Sequence, residues 1–538
     1  MKFDYFLRMA VILVSGSLTA CGGGGGGTVT SNCTLGTGAT LKVSGAITFD
    51  RVPLFTSGPK TGALDFANTS QEPSTGILVE AVCGSTIVTS ASSDDSGLYT
   101  LSVPAGTQGV IVRAKARMLK TGTPSWDVEV KDESQSVDLI FSMDSTPFNV
   151  EASNVTKNLH APSGFDGSSY ASARVAGPFA ILDTIDKSMK LVLTANPSAV
   201  FPALDVRWSA SSNTGTFYTS NVISILGRTT DTDEYDEHVV AHEWGHYFQD
   251  AFSRDDSIGG RHSSGDILDI RVAFSEGFGN AFSAMVLGDP VYKDSQSIAL
   301  EQGFSIDVES NSCVNEGWYN ECSVQSVLYD FFDTDNEPSD VFSFGFDEIH
   351  EVMTSSMPLS DAFTSIFSFI NPFKNLSTVD EADTDTFLAL QSIDPITDNF
   401  GTGVSKGLYS GVTDIIPVYD AFAPSTVNIC NTAENGPFNG LGVTRYIAFT
   451  AASTGPVTFV ASRDSGVAQS DPDMYLYFKG NIIAAGESFN VNTENFTASL
   501  VAGQQYVLEV LEFSYTDVDY DPSATGAINE TCFIVTRS

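Results

Sequence analysis

Apolar and polar residues alternate with a period of two near both ends of the chain and recur every three to four residues only in its middle. From about residue 40 to 145, runs such as Leu41-Lys42-Val43-Ser44-Gly45-Ala46-Ile47-Thr48-Phe49 and Val110-Ile111-Val112-Arg113-Ala114 are separated by Gly, Pro, Ser and Asp. That pattern predicts a small β-sandwich. Between about 155 and 410 the stretches 237–252, 272–287 and 322–332 repeat their apolar positions at helical spacing, which predicts helices. Ahead of them, 190–193, 204–208 and 222–226 read as strands, so the middle is expected to be α+β with its sheet before its helices. Past about residue 412 short strands return at 444–449, 457–460, 474–477 and 505–510. They predict a second sandwich.

The chain has 538 residues, room for three or four domains that each bury a core. At its start, Lys2 and Arg8, the apolar run from Met9 to Val14 and Ser17-Leu18-Thr19-Ala20 before Cys21 read as a signal peptide. Leu18-Thr19-Ala20-Cys21 resembles the lipobox of bacterial lipoproteins, which implies cleavage before Cys21 and lipidation of Cys21. Gly22 to Gly27 then form a flexible tether, and the absence of aspartate at position 22 implies the outer membrane. No other apolar stretch approaches the roughly 20 residues a spanning helix needs, so contact with the membrane is expected through Cys21 alone. Lys and Arg number 26 against 66 Asp and Glu, a net charge of −40, which excludes a nucleic-acid partner. Without Cys21 six cysteines remain, an even number for an oxidising compartment. The simplest pairing keeps each bond within one segment: Cys33 with Cys83, Cys313 with Cys322, Cys430 with Cys532.

Only six histidines occur, and two stand in His242-Glu243-Trp244-Gly245-His246. With this composition roughly 0.003 such HExxH matches are expected by chance. The motif lies inside a predicted helix, where spacing of i and i+4 puts both imidazoles on one face. They are candidate ligands for one zinc ion. Glu243, adjacent but turned away from both rings, is the candidate general base for water and the proton donor to the leaving amine. Gln249 and Phe252 occupy the positions where a metzincin carries glycine and histidine, so that class is excluded.

Downstream, Ala273-Phe274-Ser275-Glu276-Gly277-Phe278-Gly279-Asn280 opens a second helix. With His242 to His246 it resembles the gluzincin metallopeptidases, the thermolysin-like and fungalysin-like group. The resemblance implies that Glu276 is the third zinc ligand and that Asn280 orients a ligand histidine. The insert 254–269 makes the spacing to Glu276 longer than in thermolysin and is expected to be a surface loop, with His262 solvated; His160, His238 and His350 are likewise expected to stand outside the chemistry. No histidine occupies the stretch that supplies thermolysin's oxyanion donor, which leaves Tyr329, then Tyr319, as candidates.

Val43-Ser44-Gly45-Ala46-Ile47 with Asp94-Asp95-Ser96-Gly97-Leu98-Tyr99 resembles the carboxypeptidase-regulatory, transthyretin-like modules. Asp471-Pro472-Asp473-Met474-Tyr475 and Leu500-Val501-Ala502-Gly503-Gln504 resemble bacterial pre-peptidase C-terminal domains. Asp517, Asp519 and Asp521 alternate as calcium ligands do, but Pro522 stands where an EF-hand loop needs glycine; a solvated loop and a Ca2+ site stay open as alternatives. The expected organisation is a signal peptide at 1–20, a Gly-rich tether at 21–39, a β-sandwich at 40–150, a gluzincin-like metallopeptidase domain at 151–411 and a β-sandwich at 412–538. The expected function is a lipid-anchored Zn2+ peptidase of the outer membrane acting on protein or peptide. The alternative is a non-catalytic envelope lipoprotein that binds protein or glycan through its sandwiches. Because no proposed ligand lies beyond residue 425, removal of the C-terminal module is expected to spare hydrolysis.

Overall fold

A computed structural model describes residues 33–135, 138–296, 301–310, 312–333, 343–404, 418–524 and 526–538. The segment expected to be a signal peptide, Cys21 and Gly22 to Gly27 lie outside the described residues, whereas 33–39, expected to belong to the tether, are fixed to the sandwich through Cys33–Cys83, the bridge of Thr34 with Gln108 and Gly38 N donating to Ala105 O. The three expected disulfides are closed: Cys33–Cys83, Cys313–Cys322 and Cys430–Cys532.

The strands of the N-terminal part build two sheets. Thr40–Arg51 pairs with Leu98–Pro104 and Ser70–Pro73, and in parallel with Val155–Thr156 and Leu159–Ala161. The second, ten-stranded sheet runs from Thr86–Ser92 through Ile77–Cys83, Thr107–Lys120 and Trp126–Asp132. It does not stop there. Leu204–Trp208 joins Trp126–Asp132 in parallel, with Leu204 beside Val128 and Val206 beside Val130, and Val222–Ile225 and Phe217–Thr219 follow. The alternation in Leu204-Asp205-Val206-Arg207-Trp208 buries 204, 206 and 208, while Lys131 reaches Asp205 at 2.7 Å on the other face. The expected border near residue 150 is therefore crossed by continuous sheet and by one shared core.

Helix α1, Gly177–Ala195, contains the stretch 190–193 that was expected to be a strand. Leu191-Val192-Leu193 has strand-like composition, but the buried positions Phe179, Leu182, Ile185, Met189 and Val192 recur at three and four, and burial of that stripe decides for helix. Helices α2, Glu237–Phe252, α3, Ile270–Leu287, and α4, Glu321–Phe332, follow. They pack closely because glycines face each other: a β-carbon on Gly245 would lie 3.3 Å from the Gly279 Cα, and one on Gly277 2.6 Å from Val324 Cβ.

The C-terminal part forms two four-stranded antiparallel sheets. Ile429, Phe459 and Phe533 from one, and Ile447, Leu476 and Leu508 from the other, share a core. Tyr446 and Val507 instead belong to the core of the helical region, so one outer face of this sandwich is seated on the helices.

Candidate metal centre

Helix α2 buries Val240, Trp244, Tyr247 and Phe248, and this apolar stripe fixes the rotation that turns His242 and His246 toward α3. Three ligand atoms converge. His242 Nε2 stands 3.0 Å from His246 Nε2 and 3.2 Å from Glu276 Oε2, and His246 Nε2 stands 3.4 Å from that oxygen. Ligand atoms about 2.0–2.1 Å from a tetrahedral ion lie about 3.3 Å apart. Two imidazoles and one carboxylate at these separations fit one zinc ion with an open position.

Each histidine is oriented from behind. His242 Nδ1 meets Asn280 Oδ1 at 2.9 Å, and Asn280 is fixed because its Nδ2 donates to Gln325 Oε1 at 2.9 Å. His246 Nδ1 meets Ser275 Oγ at 3.2 Å, and Ser275 Oγ donates to Asp255 Oδ2 at 3.1 Å. A metal at the centre would select the tautomer in which both Nδ1–H groups are given to these oxygens and both Nε2 lone pairs face inward. Gly279 makes room for this: a β-carbon there would be 2.8 Å from His242 Cε1.

Burial works against the Glu276 carboxylate, but the charge of His246 and hydrogen bonds from His242 and His246 outweigh it and hold Glu276 well below the usual range. In the metal-free state burial lowers His246, whereas Glu276 raises it, with a net shift up to about 9. Glu243 is 8% exposed; burial raises its carboxyl, partly offset by His242 and His246.

The structure adds to the expectation for His262. The residue is on an exposed stretch of the loop, its side chain 29% accessible, but its ring is paired. Its Nδ1 lies 2.6 Å from Glu321 Oε2 and its Nε2 3.2 Å from Glu276 Oε2, and against the cost of burial these carboxylates push it up to about 9. His262, Ser275, Asp255 and Gln325 carry no periodic signal in the sequence, and only the fold brings them to the histidines. His160 pairs with Asp50, His238 with Ser283, and His350 stands among the rings of Phe248 and Phe346.

Tyr329 is not brought to the group. The face of α4 toward α3 runs Glu321, Gln325, Tyr329; Glu321 reaches His262 and Gln325 reaches Asn280. Tyr329 is therefore about one turn, roughly 6 Å, beyond Gln325 and away from Glu276, with its ring 5.9 Å from Phe332. The Tyr319 hydroxyl donates to Glu316 O at 3.1 Å. A tyrosine that does approach is Tyr292, on the strand Val291–Gln296, whose ring is 6.3 Å from that of His242. Asp517 and Asp521 cap their own turns, through Asp519 N and Ser523 N, and are not gathered with Asp519 around one point.

A second acidic group stands at the start of α2. One carboxylate oxygen each of Asp231, Asp233 and Asp294 lie within 4.8 Å of one another. Asp236 Oδ2 accepts from Ser295 N at 2.7 Å, tying the turn before α2 to the strand that carries Tyr292. Arg228 pairs with Asp231. Burial, then neighbouring carboxylates, raise Asp233 and Asp236 well above their usual value and Asp294 to about 7.

A family model described as the Mycolysin C-terminal domain matches residues 193–387, the stretch that carries α2, α3, α4 and the converging ligands. The match gives that stretch a metallopeptidase context. No curated protein matches the chain. Among solved structures, the pre-peptidase C-terminal domain of a collagenase from Bacillus anthracis is similar at 16% identity, over 22% of this chain and 94% of that one, with a TM-score of 0.16. PliG of Aeromonas hydrophila, a periplasmic inhibitor of g-type lysozyme, is similar at 9% identity over 22% of this chain and 96% of that one, with a TM-score of 0.15.

Proposed function

We propose that the chain is a zinc metallopeptidase of the gluzincin type acting on protein or peptide, held at the outer membrane of a bacterial envelope by a lipid on Cys21. The observation that carries this reading is the convergence of His242 Nε2, His246 Nε2 and Glu276 Oε2, with Glu243 buried beside them. Zinc held there would supply Lewis acidity toward water and a peptide carbonyl. His242 and His246 serve as neutral donors, because Asn280 and Ser275 take their Nδ1 hydrogens. Glu243 takes a proton from water as the water oxygen bonds to the carbonyl carbon. It returns that proton to the amide nitrogen as the C–N bond breaks. Its raised proton affinity suits both halves of the transfer. His262, set between Glu276 and Glu321, would offer an N–H to a site where negative charge develops on the carbonyl oxygen.

Metal analysis of the purified chain with cleavage profiling on a mixed peptide pool tests the reading. Bound zinc with defined cleavage supports it; a chain that holds zinc and cleaves nothing leaves the binding-protein alternative. The anchor is tested separately by Cys21→Ser, which should move the protein from the membrane fraction to the soluble one. No helix among the described residues is long and apolar enough to cross a membrane.

A further inference from the structure

The loop between α2 and α3 carries His262, and the C-terminal sandwich grips that loop. Asn439 O accepts from Asp269 N at 2.8 Å, Leu441 N donates to Ile267 O at 2.9 Å, and Leu268 and Gly440 form an antiparallel bridge. The Asn439 side chain, on a residue only 6% exposed, donates from Nδ2 to Gly259 O and Arg261 O, both at 3.0 Å. Those carbonyls bracket the turn that delivers His262. Gly260 has φ +107, and a β-carbon there would stand 2.7 Å from the Phe438 ring, so the turn is shaped to its clamp. Phe438 is itself left-handed, with φ 59, and its N–H is held by Tyr515 O at 2.9 Å. The gripping finger is thus formed by the sandwich, independently of the loop.

A second contact fixes α3. Tyr446 donates its hydroxyl to Asp269, the residue that caps the helix. Arg271 pairs with Asp269 at 3.0 Å and Glu509 at 3.4 Å, over the rings of Phe363 and Tyr446. Tyr446 and Glu509 are register partners in the sandwich, and Glu276 lies two turns along α3 from Asp269.

We propose that the C-terminal sandwich is part of the site and that Asn439 is a positioning residue that holds His262 against Glu276. In its activity arm the proposal rests on the peptidase reading; in its structural arm it does not. The carboxamide suits this place, because both partners are carbonyls and its N–H2 group donates to both, which an isosteric carboxylate cannot do. The expectation that removal of residues past about 425 weakens attachment to a large substrate but spares peptide hydrolysis is replaced in its second half: hydrolysis should fall as well.

The test uses the full chain with zinc bound. Asn439→Asp keeps the shape of the side chain and removes both donors. Zinc content and circular dichroism should be unchanged, while amide exchange across 259–263 accelerates at least about 10-fold and kcat falls roughly 10- to 100-fold, the usual effect of losing an orienting partner. His262→Ala should cost a similar factor, and the double variant no more than His262→Ala alone, because one acts through the other. Unchanged exchange, or losses that multiply, would overturn the proposal. If the variant does not fold, the wild type decides: loop amides 267–269 should open together with strand 444–450 as denaturant rises, and a loop that exchanges freely while that strand stays protected sinks the idea. A chain without peptidase activity would fail the kcat arm and still report on the clamp through exchange.

Discussion

His242 shows how much of this site is decided atom by atom. Its ring is confined by Gly279 on one side and by Asn280 on the other, and Asn280 is confined by Gln325. Gly279→Ala would drive a methyl group into the ring, so the variant should lose zinc in metal analysis while α3, which gains helix propensity, persists. Glu243→Gln keeps the shape and removes the proton acceptor. Zinc should stay bound and turnover should fall about 10²- to 10⁴-fold, with the pair of measurements separating base from ligand. His242→Ala, His246→Ala or Glu276→Ala should lose zinc and turnover together. Asn280→Ala should weaken zinc roughly 10- to 100-fold, read by competition with a chelator. The histidines and Glu243 were legible because one short motif holds all three, the two imidazoles on one helix face and the carboxylate next to them in sequence. Ser275 was quoted only as context, since nothing local tells a serine that braces an imidazole from one that caps a helix.

Helix α3 joins two roles. Its first turn is locked into the sandwich by Arg271, 2% exposed and paired with Asp269 and Glu509, and its middle presents Glu276 and Asn280 to α2 and α4. Arg271→Met would leave two buried carboxylates without their cation. The expected cost is about 3–5 kcal/mol, seen as a lower midpoint in urea unfolding. Helix α1 carries a different lesson. Stretch 190–193 reads as strand from four residues, and only the longer stripe from Phe179 to Val192 shows the period that the core selects.

At the scale of the whole molecule, the net charge of −40 and the buried acidic group before α2 make pH a lever. Asp294 is raised to about 7, and Asp233 and Asp236 are raised with it, while in the unfolded chain such groups ionise near 4. The folded state then binds more protons than the unfolded state between about pH 4 and 7, so stability falls as pH rises through that window. Thermal midpoints should be higher at pH 5 than at pH 7.5, and Asp294→Asn should flatten the difference. An identical slope in the variant would remove Asp294 from the account. The continuous sheet from Thr86–Ser92 to Phe217–Thr219 also predicts that a fragment cut at residue 150 exposes a strand edge at Trp126–Asp132 and aggregates, which light scattering would register.

The sequence alone determined what depends on neighbours within a few turns: the periods of α2, α3 and α4, the two-residue alternation of the strands, and the i, i+4 pairing of His242 with His246. Each follows from backbone geometry acting on local composition. Tertiary structure decided what depends on contacts between distant segments. Loop position 262 meets Glu276 because distant segments hold it, Glu321 at the ring and Asn439, 177 residues later in the chain, at the loop backbone. Leu204–Trp208 extends a sheet begun before residue 130 because its edge offered unpaired backbone groups to a strand with matching buried positions. Tyr329 falls beyond the site because the axial offset of α4 against α3, set by Gly277 on Val324, places Gln325 rather than Tyr329 at Asn280. Close packing fixes such offsets to within an ångström, and no pattern in a single chain encodes them locally.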